Sequence, residues 1–192
     1  ALAVGTWLVT VPGLGHARGG QPAPSVVAPV AYYVVDVDSG TVLAEKESNK
    51  HWPPASMTKM MTVLLAMERV RDGKLSLDEP VHASAWASKI GGSQVYLAAG
   101  ETFPLGEMLK AIMIASANDA AAAVAEHIAG STTAFVDLMN ARAKSLGLAD
   151  TTYASPHGLP PGPGQTIDLS SAHDLAVLGR ELMHFPEVVK WA

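Results

Sequence analysis

Apolar and polar residues recur along this chain with two different periods, and the switches between them mark out its elements. Ala31-Tyr-Tyr-Val-Val-Asp-Val37 is rich in aromatic and β-branched residues and predicts a strand. Asp38-Ser39-Gly40 supplies turn chemistry, and Thr41 to Glu45 predicts the returning strand of a hairpin. Pro53-Pro54 then fixes φ and turns the preceding residue away from helix. Beyond it the period lengthens. Met57, Met60, Met61, Leu64, Met67 and Val70 recur at three- and four-residue steps, which predicts an amphipathic helix from Ser56 through Arg71, stopped at Gly73. The methionines at 57, 60, 61 and 67 read as core.

Leu75 to Gly100 carries only short apolar pieces around Gly91-Gly92-Ser93. Leu105 to Ala115 is nearly all apolar and predicts a helix inside the fold. It breaks at Ser116-Ala117-Asn118, and Asp119 begins an alanine-rich helix that stops at Gly130. Ser131 or Thr132 can cap the next helix, whose apolar face is Phe135, Leu138, Met139 and Leu146 and which Gly147 closes. Tyr153 to Gln165, with His157-Gly158-Leu159-Pro160, is a proline- and glycine-rich loop. Ser171-x-x-Asp174 resembles a capping box for a helix through Leu182 and Met183, with Pro186 as its end. Glu187 to Ala192 reads as the first turns of a further element.

Length and composition narrow the picture. A chain of 192 residues suits one domain or part of a larger one, and its apolar content argues against disorder. A net charge of −5 with scattered basic residues argues against nucleic acid as a partner. The absence of cysteine excludes disulfides and thiolate metal sites. The seven histidines, His127, His157 and His173 among them, show no ligand spacing, so neither a metal nor another cofactor is expected. Asp36, Asp38 and Glu47 could suggest a calcium loop, but glycine falls one position early and Val42 interrupts. Ala1 to Leu14 is mostly apolar, too short to span a membrane, and is followed by small residues at Gly15 and Ala17. Residues 1–17 are therefore expected to be a partial signal peptide, 18–30 a linker, and the protein exported.

Two short motifs carry candidate chemistry. Ser56 stands at a helix start, where unpaired N–H groups and the dipole favour developing negative charge. Lys59, three residues on, shares its face. Nucleophile and base is one reading; an N-cap serine with an ordinary helical lysine is the other. Ser116-x-Asn118 lies in a break between two apolar helices, where a hydroxyl and a carboxamide either cap the second helix or face a cleft.

Taken together, Ser56-x-x-Lys59 and Ser116-x-Asn118 resemble the motifs of the serine penicillin-recognising enzymes. Tyr33-Val-Val-Asp-Val-Asp-Ser-Gly-Thr-Val-Leu43, Pro53-Pro-Ala-Ser-Met-Thr-Lys59, Ala115-Ser-Ala-Asn-Asp-Ala120 and Pro156-His-Gly-Leu159 follow the order seen in D-alanyl-D-alanine carboxypeptidases of the S11 family, over about Tyr32 to Trp191. The resemblance implies an α+β, β-lactamase/transpeptidase-like fold, with an antiparallel sheet flanked by helices and a helical subdomain. It implies that Ser56 attacks the carbonyl between two terminal D-alanines of a peptidoglycan stem peptide and forms an acyl-enzyme. Lys59 would be the base, and Ser116 the proton relay to the departing amine. Asn118 would hold the substrate backbone, the Ser56 N–H would supply half of an oxyanion hole, and β-lactams would acylate the same serine.

The family's third element, Lys-Thr-Gly or a close variant, does not occur; Lys144-Ser145-Leu146 is nearest and has leucine where glycine is needed. Residues 31–192 are therefore expected to be the N-terminal portion of the peptidase domain, incomplete at the C-terminus. On its own that portion is expected to fold poorly and be inactive, with an unpaired edge on the hairpin and uncovered helices. Any peripheral membrane association would reside in the absent C-terminal region. A class A-like β-lactamase is disfavoured because no glutamate lies between Glu126 and Glu181 to activate a deacylating water. A D,D-endopeptidase would use the same residues, and a non-catalytic peptidoglycan-binding module would not need both Ser56 and Lys59.

Overall fold

A computed structural model describes residues 29–192. The expected signal segment, 1–17, and nearly all of the linker lie outside the described residues. The first hairpin pairs β1 (Tyr32–Val35) with β2 (Val42–Lys46), antiparallel, with a bulge after Val34. The paired strands are shorter than the apolar run because Asp36 closes the turn early. Its carboxylate accepts the Ser39 N–H and hydroxyl at 2.7 and 2.6 Å. Among the described residues the hairpin pairs with no third strand, and all of β2 is exposed. One face leans on the helix that follows residue 171, through Tyr33 edge-on to His173 and the Arg180 guanidinium donating to the Val37 carbonyl at 3.0 Å.

A 3-10 turn over Ala55–Thr58 leads into α1 (Lys59–Arg71). A second small hairpin joins β3 (Pro80–His82) to β4 (Thr102–Pro104). Then come α2 (Leu105–Ala115), α3 (Asn118–Ala129), α4 (Thr132–Ser145), α5 (Ala172–Leu182) and α6 (Pro186–Trp191). The core sits where α1 passes among α2, α3, α4 and α5. The six residues Ala120 to Ala125 of α3 are all buried, five alanines and one valine, and their small side chains let neighbouring helices approach closely. Each buried leucine or valine along α1 contributes about 2 kcal/mol of apolar transfer. Glu68 of α1 accepts from Arg142 of α4 at 2.6 and 3.0 Å, tying the two helices beside that core.

Four expectations change. Ser56 is not in the α-helix but in the tighter 3-10 turn before it, and that turn rotates Met57 out of the apolar row: Met57 is exposed, not core. The α1 helix is not amphipathic along its length; Met61 to Met67 is buried on every side because other helices surround it. The inner helix is α3 rather than α2, whose Ile114 is exposed. The further element expected from Glu187 is present as α6 but starts one residue earlier, at Pro186, since proline needs no N–H partner at a first helical position.

The capping serines behave as expected. Ser131 Oγ accepts the Ala134 N–H and Ser171 Oγ the Asp174 N–H. The Asp174 carboxylate, however, does not reach back to complete a box. It accepts instead from the Asp150 N–H and the Thr151 hydroxyl, drawing α5 onto the chain that follows α4.

Candidate active site

Ser56 is exposed, whereas Lys59, one turn later, is 3% exposed. The lysine amine lies 3.1 Å from the Ser56 hydroxyl oxygen and donates to the His157 carbonyl at 2.8 Å. Burial pulls its pKa down from 10.5 to about 8. An open serine beside a desolvated amine is the arrangement that nucleophilic catalysis by serine and lysine requires.

The loop that supplies the carbonyl is bound to α1. Thr62 Oγ1 donates to the Pro156 carbonyl at 2.7 Å. Gly158 has φ +78°, and a Cβ there would sit 1.9 Å from the Ala55 carbonyl oxygen, so the loop backbone presses directly onto the serine's turn. The His157 ring is neutral: Nδ1 accepts the Leu159 N–H, and burial together with the Lys59 charge lowers its pKa from 6.5 to about 4 against the opposing pull of Asp168. Ser155 and the buried Asp168 brace the loop from behind.

The second motif lies between α2 and α3. Ser116 ends α2 in the left-handed region, φ +54° and ψ +36°, a conformation that costs a non-glycine residue about 1 kcal/mol or more. Asn118 is buried. Its backbone N–H donates to the Ser93 carbonyl and its side-chain NH2 to the Gly91 carbonyl, both at 2.8 Å. Its Oδ1 has no partner among the described residues, which leaves an acceptor available. Gly92 lets the turn pass close by: a Cβ there would lie 2.7 Å from the Asn118 amide nitrogen and 3.0 Å from Leu159. The adjacent Asp119 secures the same turn by accepting the Val95 and Leu97 N–H groups.

The structure thus joins Ser56 and Lys59 directly, and Asn118 to them through Gly92 and the 157–159 loop. Ser116 is carried alongside but shares neither of the Lys59 hydrogen bonds. The composition of the loop around His157 was visible in the sequence. Asp168, Ser155 and Thr62 were not, because a lone acid or hydroxyl gives no periodic signal. A cavity of about 650 Å3 lies between Trp86, Asp137, His157 and Gln165, and Ser56 does not line it.

The profile of the S11 peptidase family, D-alanyl-D-alanine carboxypeptidase, matches residues 19–192. The chain belongs to this family. It is 44% identical over 158 residues to the D-alanyl-D-alanine carboxypeptidase DacF of Bacillus subtilis, covering 82% of the chain and 40% of that protein. The crystal structure of the D-alanyl-D-alanine carboxypeptidase DacD of Francisella tularensis superposes with a TM-score of 0.81 at 36% identity, over 89% of this chain and 41% of that one. Penicillin-binding protein D2 of Listeria monocytogenes, solved in its ampicillin-bound form, gives a TM-score of 0.73 at 30% identity, over 84% and 64%. The chain therefore spans about two fifths of the length of the first two relatives. The α+β fold implied by the resemblance is the one that this carboxypeptidase and this penicillin-binding protein share.

Proposed function

We propose that the chain carries the nucleophile half of a serine-type D-Ala-D-Ala carboxypeptidase that trims peptidoglycan stem peptides through an acyl-serine intermediate and is acylated by β-lactams. The observation that carries this reading is the buried Lys59 amine 3.1 Å from the exposed Ser56 hydroxyl. An amine with a pKa of about 8 is neutral in about a tenth of molecules at pH 7, some 300-fold more often than an ordinary lysine. Neutral Lys59 takes the Ser56 proton as the oxygen attacks the penultimate D-alanine carbonyl. The oxyanion meets the Ser56 backbone N–H, in the first turn where such groups lack intrahelical partners. Asn118 Oδ1 accepts an N–H of the substrate backbone and holds the carbonyl in line. The C–N bond breaks as Ser116 passes to the leaving D-alanine amine the proton that Lys59 took from Ser56, and water then hydrolyses the acyl-serine ester. The B. subtilis and F. tularensis relatives carry the carboxypeptidase name, and the Listeria relative was crystallised with ampicillin, which supports both substrate and inhibitor classes.

We place this chemistry outside the cytoplasm, where peptidoglycan is found; among the described residues no helix is long and apolar enough to cross a membrane. Residues 31–192 are the N-terminal portion of the peptidase domain in this reading. The full-length protein, treated with a fluorescent penicillin, should be labelled and should release D-alanine from a peptide ending in D-Ala-D-Ala. Ser56→Ala should lose both activities. Labelling of Ser56→Ala at the native level removes Ser56 as the nucleophile.

A further inference from the structure

The loop from 153 to 168 is closed at its base by an antiparallel bridge between Thr152 and Leu169, with N···O distances of 2.9 Å in both directions. Just inside that bridge lies Asp168, 4% exposed. One of its oxygens accepts the Ala154 and Ser155 N–H groups at 2.7 and 3.0 Å, and the other accepts the Ser155 hydroxyl at 2.7 Å. That hydroxyl, its proton committed to the carboxylate, accepts the Gly158 N–H at 2.8 Å. The His157 carbonyl and the Gly158 N–H are opposite ends of a single planar peptide unit. Fixing the N–H end therefore fixes the direction of the carbonyl, and the carbonyl is what Lys59 meets. A peptide next to a glycine at φ +78° would otherwise turn easily, because no Cβ opposes it.

We infer that Asp168, acting through Ser155, is a positioning residue that sets the plane of the His157–Gly158 peptide and thereby the seat of the Lys59 amine. This deepens the proposal that Lys59 is the base and rests on it. The groups that bear on that amine are few. Ser56 reaches it from its own turn, and the neutral His157 faces it from the loop with Asp168 behind. Asp119 is occupied by the Val95, Leu97 and Ala120 amides. Burial is what lowers the lysine, so a loop whose peptide has turned admits water and lets it rise again.

The test uses the full-length protein and the rate of acylation by a fluorescent penicillin as a function of pH, with the thermal midpoint measured on the same samples. Ser155→Ala removes the relay without changing charge. It should move the ascending limb up by about one pH unit and slow acylation at pH 7 about tenfold. Ser155→Thr, which restores the hydroxyl, should return the limb to its native position. Val81→Ala, a truncation at the one buried residue of β3 and outside the loop, should lower the thermal midpoint and leave the limb in place. If Ser155→Ala does not fold, Asp168→Asn carries the same expectation, since it keeps an acceptor for the two amides and disturbs the oxygen facing Ser155. A limb unmoved in whichever of these variants folds overturns the inference, as does an equal shift in Val81→Ala. Failure of the native protein to be labelled at Ser56 overturns the peptidase reading instead.

Discussion

The two motifs of the candidate site are held by different means. At Ser56 and Lys59 the stored cost is electrostatic: an amine is buried, and a loop from nearly a hundred residues away supplies a single carbonyl to receive it. At Ser116 and Asn118 the cost is conformational: a left-handed serine ends one helix so that a buried carboxamide can begin the next. Both are strained in ways that ordinary packing would relieve, which is where functional groups are expected to sit. The difference teaches that the first motif depends on tertiary contacts for its chemistry. The second joins a strained local backbone path to the Gly91–Ser93 turn, whose carbonyls receive the Asn118 backbone N–H and side-chain amide.

The strongest way to break this contrast is Lys59→Met in the full-length protein. Acylation should fall by about a thousandfold or more, the range expected for loss of a general base. Stability at pH 7 should nevertheless rise, by up to about 3 kcal/mol, because a charge no longer has to be held in a buried place. The sign follows from a folded-state pKa lying below the unfolded one. The penalty is present in full below pH 8 and fades as pH rises from about 8 towards 10.5, so the gain should shrink over that range in denaturation measured against pH. An equal gain at every pH would mean that Lys59 is not desolvated.

Next in size is Gly158→Ala. The added Cβ collides with the Ala55 carbonyl, and the backbone there suits only glycine. The loop must shift by about 1 Å, which should slow acylation on the order of a hundredfold. The same change at Gly73, where nothing lies near, should leave acylation alone.

His157 gives a smaller, pH-dependent effect. Its folded pKa of about 4 lies below the ordinary 6.5, so the unfolded chain takes up a proton first on acidification. Stability present above pH 6.5 is lost progressively down to about pH 4, by about 2 kcal/mol after allowance for partial exposure. His157→Asn should flatten that decline in urea titrations between pH 4 and 7. A slope identical to that of the native protein would show that the ring is not the group responsible.

The smallest expected effect separates the two motifs by strain alone. Ala55 has φ +51°, close to the +54° of Ser116. Ala55→Gly and Ser116→Gly should each stabilise the fold by about 0.5 kcal/mol, the relief of a left-handed side chain less the entropy of a glycine. Only Ser116→Gly removes a hydroxyl assigned to proton transfer. If Ala55→Gly is neutral or destabilising in calorimetry, the turn before Ser56 is not strained as its backbone implies.

Much of this molecule was legible in the sequence. The long helices, their serine caps, the hairpin and the break at Ser116 all follow from local periodicity and from residues whose chemistry acts within one turn. The Ser-x-x-Lys spacing correctly brought Ser56 and Lys59 onto one face, although the serine lies in a 3-10 turn that the apolar row concealed. Errors fell where packing overrode pattern: Met57 points outward, and the helix with the more apolar sequence, α2, is less buried than alanine-rich α3. Small side chains let helices come closest, so alanine-rich α3 lies deeper than the more apolar α2.

The sequence by itself determined the local vocabulary: which segments become helix or strand, which serines and glycines end them, and which residue types could perform acyl transfer. Only the tertiary structure decided that Lys59 is buried while Ser56 is open, that the His157 carbonyl meets the amine, and that Asp168 stands behind that carbonyl. The physical reason is range. Helix periodicity and capping act over three or four residues, whereas burial, pKa and the closure of a loop on a distant turn arise from neighbours that only the folded chain brings together.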